Sequence, residues 1–376
     1  MSSSASATSQ RSVATWVRIL LVWVVAEIVV LSAAAVGNWS TVKRDGLDGY
    51  ISLWRQWDTY WFESIAVYGY VGPYVDGFHD YHYNVAFFPG LPLLMKLGMS
   101  VGFTPIATGL AVSFVAGFIG ALALARLMTQ VGGSPTWGVI GWVAAPTALF
   151  ITAAYTEALF CAFAFWAWAL ARERNWLAAG VLAAGAALVR PNGLFVGAGL
   201  IVMFLLVRPI AWRKAWPLAL PFLATLGYVV YLHAITGSWN AWLEAERIFW
   251  ERHLVDPITS LVNTYNLIFT FSPTGEPSSR MVTEIIAMAV IVVFVIILAA
   301  RRWWAEAAYV AITAVSLGTS TMYHSVPRTL VVLFPIWMVI GLWLTRYRWL
   351  RWAYLIVGVP FLVLVTIKFT QSQWIS

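Results

Sequence analysis

The sequence predicts an all-α polytopic membrane protein, and three observations predict it. The 376 residues are 61% hydrophobic and 10% charged, with a mean hydropathy of +0.78; soluble domains carry about 25% charged residues. The apolar residues gather in runs near the length that crosses a bilayer, roughly 20 residues with about 17 as the lower limit. Tryptophan, at 23 residues, is suited to the membrane–water boundary.

Residues 1–15, opening MSSSASATSQRS, have the composition of a disordered cytoplasmic lead. The following run lacks a small-residue cleavage site, so Trp16–Val36 is expected as a retained first span. Glu27 within it is costly in lipid and must face protein. Residues 37–105 break the apolar pattern and form a first large loop. Phe87–Val101 in this loop is short and proline-broken, which suits a re-entrant or interfacial helix. Further spans are expected at Ile106–Met128, Thr136–Thr152, Thr156–Ala171, Trp176–Val189, Gly193–Val207 and Trp216–His233. Four more follow at Met281–Ala300, Trp304–Ser320, Arg328–Thr345 and Trp352–Phe369. That makes about eleven spans in one membrane domain, residues 16–376. Residues 234–280 form a second large loop, in which Ser238–His253 reads as an interfacial amphipathic helix.

The net charge of +7 and the pI of about 9.6 reflect arginines between spans. No soluble basic tract with interleaved aromatics is present, so nucleic acid is set aside. With the N-terminus inside, Arg11, Arg18, Arg126, Arg172, Arg174, Arg208, Arg213, Lys214, Arg301, Arg302, Arg346, Arg348 and Arg351 fall on one side, with Glu173 and Glu306 as their acidic company. The positive-inside rule makes that side cytoplasmic. Both large loops then lie outside. Cys161 is the single cysteine, which excludes an internal disulfide; packing is its expected role.

Within the first loop, Trp54–Tyr70 reads as a helix at about 100° per residue. Trp54, Trp57, Trp61, Phe62, Ile65 and Tyr68 share one face with Asp58 among them. Arg55, Gln56, Thr59 and Glu63 fall opposite. A carboxylate among aromatic rings is costly without a partner. Asp58 is therefore either a buried acid paired with Arg55 or a general base, since a positioned carboxylate can take the proton of an attacking hydroxyl. Glu63 reads as a solvated residue or as one that orients Arg55 or an acceptor.

Arg328 follows Pro327 at a helix start, where a cation opposes the dipole unless an anion is near. With His324 it is a candidate phosphate-binding pair; a snorkelling arginine is the alternative. Arg190 ends a span before Pro191, where the helix dipole alone favours a cation; phosphate contact is the other reading. Glu157 starts a span and complements its dipole, or contacts substrate. Trp242, Trp250 and Arg252 are either interfacial anchors or contacts to lipid or sugar. Asp76, His79, Asp80 and His82 carry metal-ligating groups, and a flexible polar loop is preferred there over a divalent-cation site.

Several of these segments resemble the PIG-V family, the second mannosyltransferase of GPI-anchor assembly with its bacterial relatives, within the GT-C glycosyltransferase class. The resemblance rests on WDTYWFESIAVYGY (residues 57–70), AFFPGLPLL (86–94), TAAYTEALF (152–160), LVRPNG (188–193), the 237–252 region and VPRTLVVLFP (326–335). Thr329 stands where the family commonly has tyrosine. The resemblance implies a GT-C-like helical bundle. It also implies a polyprenyl-phosphate-mannose donor, a lipid, glycan or protein acceptor, and transfer on the extracytoplasmic face with no required cofactor. It places the acidic catalytic role on Asp58. The membrane would be the plasma membrane in a bacterium and the endoplasmic reticulum in a eukaryote. A GT-C enzyme of another sugar, and a lipid or sugar transporter, are the competing readings. Polar groups gathered at one membrane face, with no internal repeat, weigh against transport.

Overall fold

The computed structural model describes residues 2–70, 84–270 and 278–375. In chain order the helices are α1 Ser2–Gly37, α2 Trp39–Ser52, α3 Asp58–Tyr68, α4 Gly90–Ser100, α5 Pro105–Gln130 and α6 Pro135–Val143. Next come α7 Leu149–Thr152, α8 Thr156–Arg172, α9 Trp176–Val189, α10 Asn192–Leu206, α11 Leu220–Thr236 and α12 Ala241–Trp250. The series ends with α13 Pro257–Thr270, α14 Ser279–Ala300, α15 Trp304–Gly318, α16 Val326–Leu330, α17 Phe334–Arg346 and α18 Arg348–Thr370. The architecture is all-α, as the composition predicts.

Local chemistry sets several of these boundaries. Thr104 and Ser134 each cap a helix whose first residue is proline, accepting from the Ala107 and Trp137 amides. Asn175 does the same for Ala178 at the start of α9. A side-chain oxygen satisfies a free amide while proline supplies the helical φ.

Among the described residues five helices are long and apolar enough to cross a membrane: Ala14–Gly37, Pro105–Gln130, Trp216–Thr236, Ser279–Ala300 and Arg348–Thr370. The pair Pro146–Thr152 and Thr156–Arg172, bent by 95°, makes a sixth if taken as one broken span. This differs from the expected eleven, because α9, α10, α15 and α17 are apolar but only 13 to 15 residues long. At about 1.5 Å per residue they fall short of a hydrocarbon core of about 30 Å. Two expected spans are interrupted. Thr136–Thr152 breaks after Val143, at Pro146. Arg328–Thr345 breaks after Leu330, and α17 restarts at Phe334. The serine-rich lead, expected to be disordered, continues α1 as helix from Ser2.

α8 is the centre of the bundle, with thirteen of its 17 residues buried. It packs on α5 and α9, largely through alanines that allow close backbone approach. Cys161 is buried there, its predicted packing position. Glu27 on α1 faces inward and accepts from Thr152 Oγ1 at 3.2 Å.

The two large loops meet each other. Tyr228 on α11 donates its hydroxyl to the carbonyls of Val85 and Phe87, at 3.0 and 2.9 Å. Tyr70 donates to Phe87 O at 2.8 Å, and Trp242 Nε1 on α12 donates to Ala86 O at 3.1 Å. A satellite apolar cluster of Ile65, Tyr70, Val85, Phe88, Tyr228, Leu232, Ala241 and Ala245 fills the space between. The segment 84–88, a 3-10 turn over Asn84–Ala86 followed by Phe87 and Phe88, is thus clamped between α3, α11 and α12. The second loop also holds α13, whose helicity the sequence reading omits.

Candidate active site

The helix carrying Asp58 begins at Asp58, later than the periodicity predicts. Residues 53–57 are non-helical, and Trp57 adopts φ 50° and ψ −111°. A bulky residue at positive φ is a genuine outlier. Such strain persists only where the surroundings hold it; here the Trp57 ring meets the Trp374 ring edge-on, with centroids 4.4 Å apart. The predicted helical face is corrected accordingly. Gln56, Thr59 and Glu63, expected outward, are buried, whereas Tyr68, expected inward, is exposed. Asp58 gains the first turn of α3, where a carboxylate complements the positive helix end.

Asp58 does not pair with Arg55. Arg55 is taken by Glu63, Nε to Oε2 at 2.6 Å and Nη2 to Oε1 at 3.1 Å, so Glu63 is a structural partner away from the cavity lining. Asp58 instead accepts from Arg328 Nη1 through Oδ2. Arg328 also donates from Nε and Nη2 to the two oxygens of Glu157. Arg190 donates to Glu157 Oε1 and to Thr156 Oγ1, the latter at 3.0 Å. Four charged side chains, from sequence positions 58, 157, 190 and 328, form one chain of ion pairs: Asp58, Arg328, Glu157, Arg190.

The backbone breaks build this cluster. Arg190 is extended, φ −154° and ψ 151°, the conformation imposed on a residue before proline. It therefore leaves the α9 axis and turns toward Glu157, instead of lying over the helix carbonyls. The turn closes because residue 193 is glycine: a Cβ there would lie 2.2 Å from the Ala187 nitrogen. Tyr155, also extended, separates α7 from α8 and places Glu157 in the first turn of α8. The Arg328 guanidinium stands 4.3 Å from the centroid of the Tyr155 ring, a cation–π arrangement. The anion that a cation at the α16 N-terminus requires is supplied twice over, by Asp58 and Glu157. Arg328 is 9% exposed and Glu157 is fully buried, so snorkelling is ruled out for Arg328.

A cavity of about 220 Å³ opens beside the cluster. Asp58, Arg190, Arg328, His324, Trp242, Trp250 and Arg252 all line it; Glu157 and Glu63 do not. Glu157 lies behind the two arginines and holds them. Expected as a substrate contact or a dipole partner, it pairs here with both arginines and is not among the lining residues. Three of the five N–H donors of Arg328 are committed to carboxylates, and two remain. Asp58 Oδ1 makes no hydrogen bond among the described residues, and the side chain is 21% exposed.

His324 faces three cations, Arg252, Arg280 and Arg328. Burial first, then these charges, pull its pKa from 6.5 down to about 3. It is a neutral imidazole at physiological pH, 3.4 Å from Arg280 Nη2 through Nδ1, and can offer a hydrogen bond but no charge.

Among the lining residues not singled out from the sequence are Glu246, Trp374 and Asn192. Glu246 lies on α12 and accepts from Arg252 Nη1 at 2.9 Å. Its signal was legible: Trp242, Glu246 and Trp250 are spaced i, i+4, i+8 on one helix face. Trp374 returns from beyond α18 to the cavity, with Arg280 4.7 Å from its ring centroid. Asn192, at the start of α10, also lines the wall. Nothing local marks Trp374, whereas Asn192 falls within the LVRPNG stretch (188–193). Asp76, His79, Asp80 and His82 lie outside the described residues. Among the described residues no group of three or more His, Cys, Asp or Glu side chains is placed to hold a metal.

The fold and this site define a polytopic, all-helical membrane protein with a charged cavity at one end of the bundle. No protein-family model matches the chain. It is similar to GPI alpha-1,6-mannosyltransferase 2 of Cricetulus griseus, 34% identical over 162 residues, which is 39% of this chain and 31% of that protein. The same protein from Mus musculus matches with the same identity and coverage. The matched stretch therefore spans under a third of the length of these relatives.

Proposed function

We propose that this chain is a membrane mannosyltransferase that uses a polyprenyl-phosphate-mannose donor and glycosylates a lipid, glycan or protein hydroxyl. One observation carries the reading: Asp58, at a helix start, shares a cavity with two arginines that a single buried glutamate holds in place. The similarity to GPI alpha-1,6-mannosyltransferase 2 supports the sugar. Gathering of the cavity's ionisable groups at one end of the bundle favours chemistry at one membrane surface over transport, which places polar groups near the midplane.

In this reading the acceptor O–H hydrogen-bonds to the uncommitted Asp58 Oδ1. As the hydroxyl oxygen forms its bond to the anomeric carbon, its proton passes to Asp58. The bond from that carbon to the phosphate oxygen breaks, and its electron pair leaves with the polyprenyl phosphate. Attack opposite the leaving group inverts the anomeric centre. The remaining N–H groups of Arg328, with Arg190 beside it and a hydrogen bond from His324, meet the phosphate as its charge grows, the form of stabilisation that best lowers such barriers. Phosphate is a good leaving group, so one base and an anion clamp suffice, and the scheme calls on no cofactor. The cavity is smaller than drug-sized pockets of about 300–1,000 Å³ and suits a single sugar ring, with the lipid tail left outside.

We read residues 16–376 as one catalytic unit, with 37–105 and 234–280 on the extracytoplasmic side. The test is purified protein with radiolabelled polyprenyl-phosphate-mannose and a membrane lipid extract. Asp58→Asn should lower label transfer by about 10²- to 10⁴-fold, the usual worth of a general base. Transfer equal to wild type removes Asp58 from the chemistry.

A further inference from the structure

Two carboxylates line the cavity among the described residues, Asp58 and Glu246, and the scheme above uses only the first. Glu246 sits in the middle of an aromatic stripe. Trp242 and Trp250, one helical turn to either side, line the same cavity. The stripe is rigidly set. Trp242 is tied by its indole N–H to the Ala86 carbonyl, and Trp250 meets Phe87 edge-on with centroids 5.5 Å apart.

Glu246 has one oxygen engaged and one not. Oε2 accepts from Arg252, whereas Oε1 makes no hydrogen bond among the described residues. Burial raises the pKa of this carboxyl, with Asp58 adding to the effect and Arg252 opposing it. A carboxylate kept in such surroundings is expensive unless hydroxyl or N–H donors reach it. An aromatic face beside a carboxylate oxygen matches a neutral polyhydroxylated ring. The C–H face of such a ring packs on the indole by dispersion, and its hydroxyls donate to the carboxylate. A phosphate group, by contrast, is repelled by Glu246, whose charge offsets that of Arg252.

We propose that α12 forms the subsite for the transferred sugar, with Glu246 accepting hydrogen bonds from its hydroxyls and Trp250 packing against its ring. This rests on the lipid-linked donor proposed above and divides the donor in two. The arginines of the Asp58 cluster take the phosphate, and the α12 stripe takes the hexose. Glu246 is then a specificity-determining residue that reads the sugar and not the lipid carrier.

The test is equilibrium binding of two radiolabelled lipids to the purified protein: polyprenyl-phosphate-mannose and polyprenyl phosphate without sugar. Wild type should bind the sugar-bearing lipid more tightly. Glu246→Gln should weaken binding of that lipid roughly 10- to 100-fold, the scale of one hydrogen bond to a charged group, and should not weaken binding of the bare phosphate. Glu246→Asp, which keeps the charge, should restore part of the preference; it also carries the test if the glutamine variant does not fold. Tighter binding of both lipids by Glu246→Gln would mean that Glu246 only tunes cavity charge, and overturns the proposal. A sugar preference retained by both variants overturns the role of Glu246 alone. No sugar preference in wild type overturns the donor reading together with it.

Discussion

The bundle carries ion pairs at two ends, and they are built differently. At one end Asp58, Arg328, Glu157 and Arg190 form a continuous chain beside a cavity, buried at Arg328 and Glu157 and half-buried at its two ends. At the other, the α5 and α8 termini are joined by Arg126 and Glu173, 2.6 Å apart with side chains 44% and 36% exposed. Near them Arg172 reaches Glu306 at 2.8 Å. Glu157 and Arg172 are 15 residues apart on α8, so the two ends are separated by about 22 Å along that helix. The Arg126–Glu173 pair is solvated, each member supplied with water and screened by salt, and is worth about 0–1 kcal/mol. The buried chain has no such reserve. Each of its members is charged because its neighbour is, and removing one leaves an uncompensated ion.

Stability measurements can break this comparison, and Glu157 is where it should fail most visibly. Glu157→Ala leaves two buried guanidinium groups facing each other, and is expected to cost about 3–5 kcal/mol, the penalty for breaking a buried pair. Thermal unfolding in detergent reads it, and a shift no greater than that of a surface substitution would mean that the cluster is well hydrated.

A second effect, smaller than that of Glu157→Ala within any one pH unit, should sharpen the contrast through pH. The His324 pKa is lowered from 6.5 to about 3, so between these values the unfolded chain binds a proton that the folded chain refuses. Stability then falls as pH drops through 6.5 and levels off near 3, by up to about 1.4 kcal/mol per pH unit. His324→Asn should flatten that part of the profile and leave stability above pH 7 nearly unchanged. An unaltered acid slope would show that His324 is protonated in the fold.

The smallest effect belongs to the opposite end. Glu173→Gln should change stability by about 1 kcal/mol or less and lose even that in high salt. A loss comparable with that of Glu157→Ala would erase the distinction between the two ends.

Much of this was legible from residues alone. Apolar runs located most helices, because burial in lipid leaves a compositional trace at each position. Asp58, Arg190, Arg328, Trp242, Trp250 and Arg252 stood out because charge or aromaticity was misplaced for a plain span or loop. The partner of Asp58 was not legible. Arg55 lies three residues away, yet the observed partner is 270 residues distant, and the Trp57 turn that redirects Asp58 leaves no periodic signal. Glu246 was passed over as one acid on an amphipathic helix, since its neighbours across the cavity come from other segments.

The sequence by itself determined an all-helical membrane protein and which polar residues needed an explanation, because hydropathy and helix period are local properties. The tertiary structure decided that Arg328 bridges two carboxylates, that Glu157 pairs with two arginines and that α12 walls the cavity. Those outcomes depend on broken helices bringing distant charges within hydrogen-bond reach, and electrostatic energy is a function of separation in space and of burial, neither of which is written in chain order.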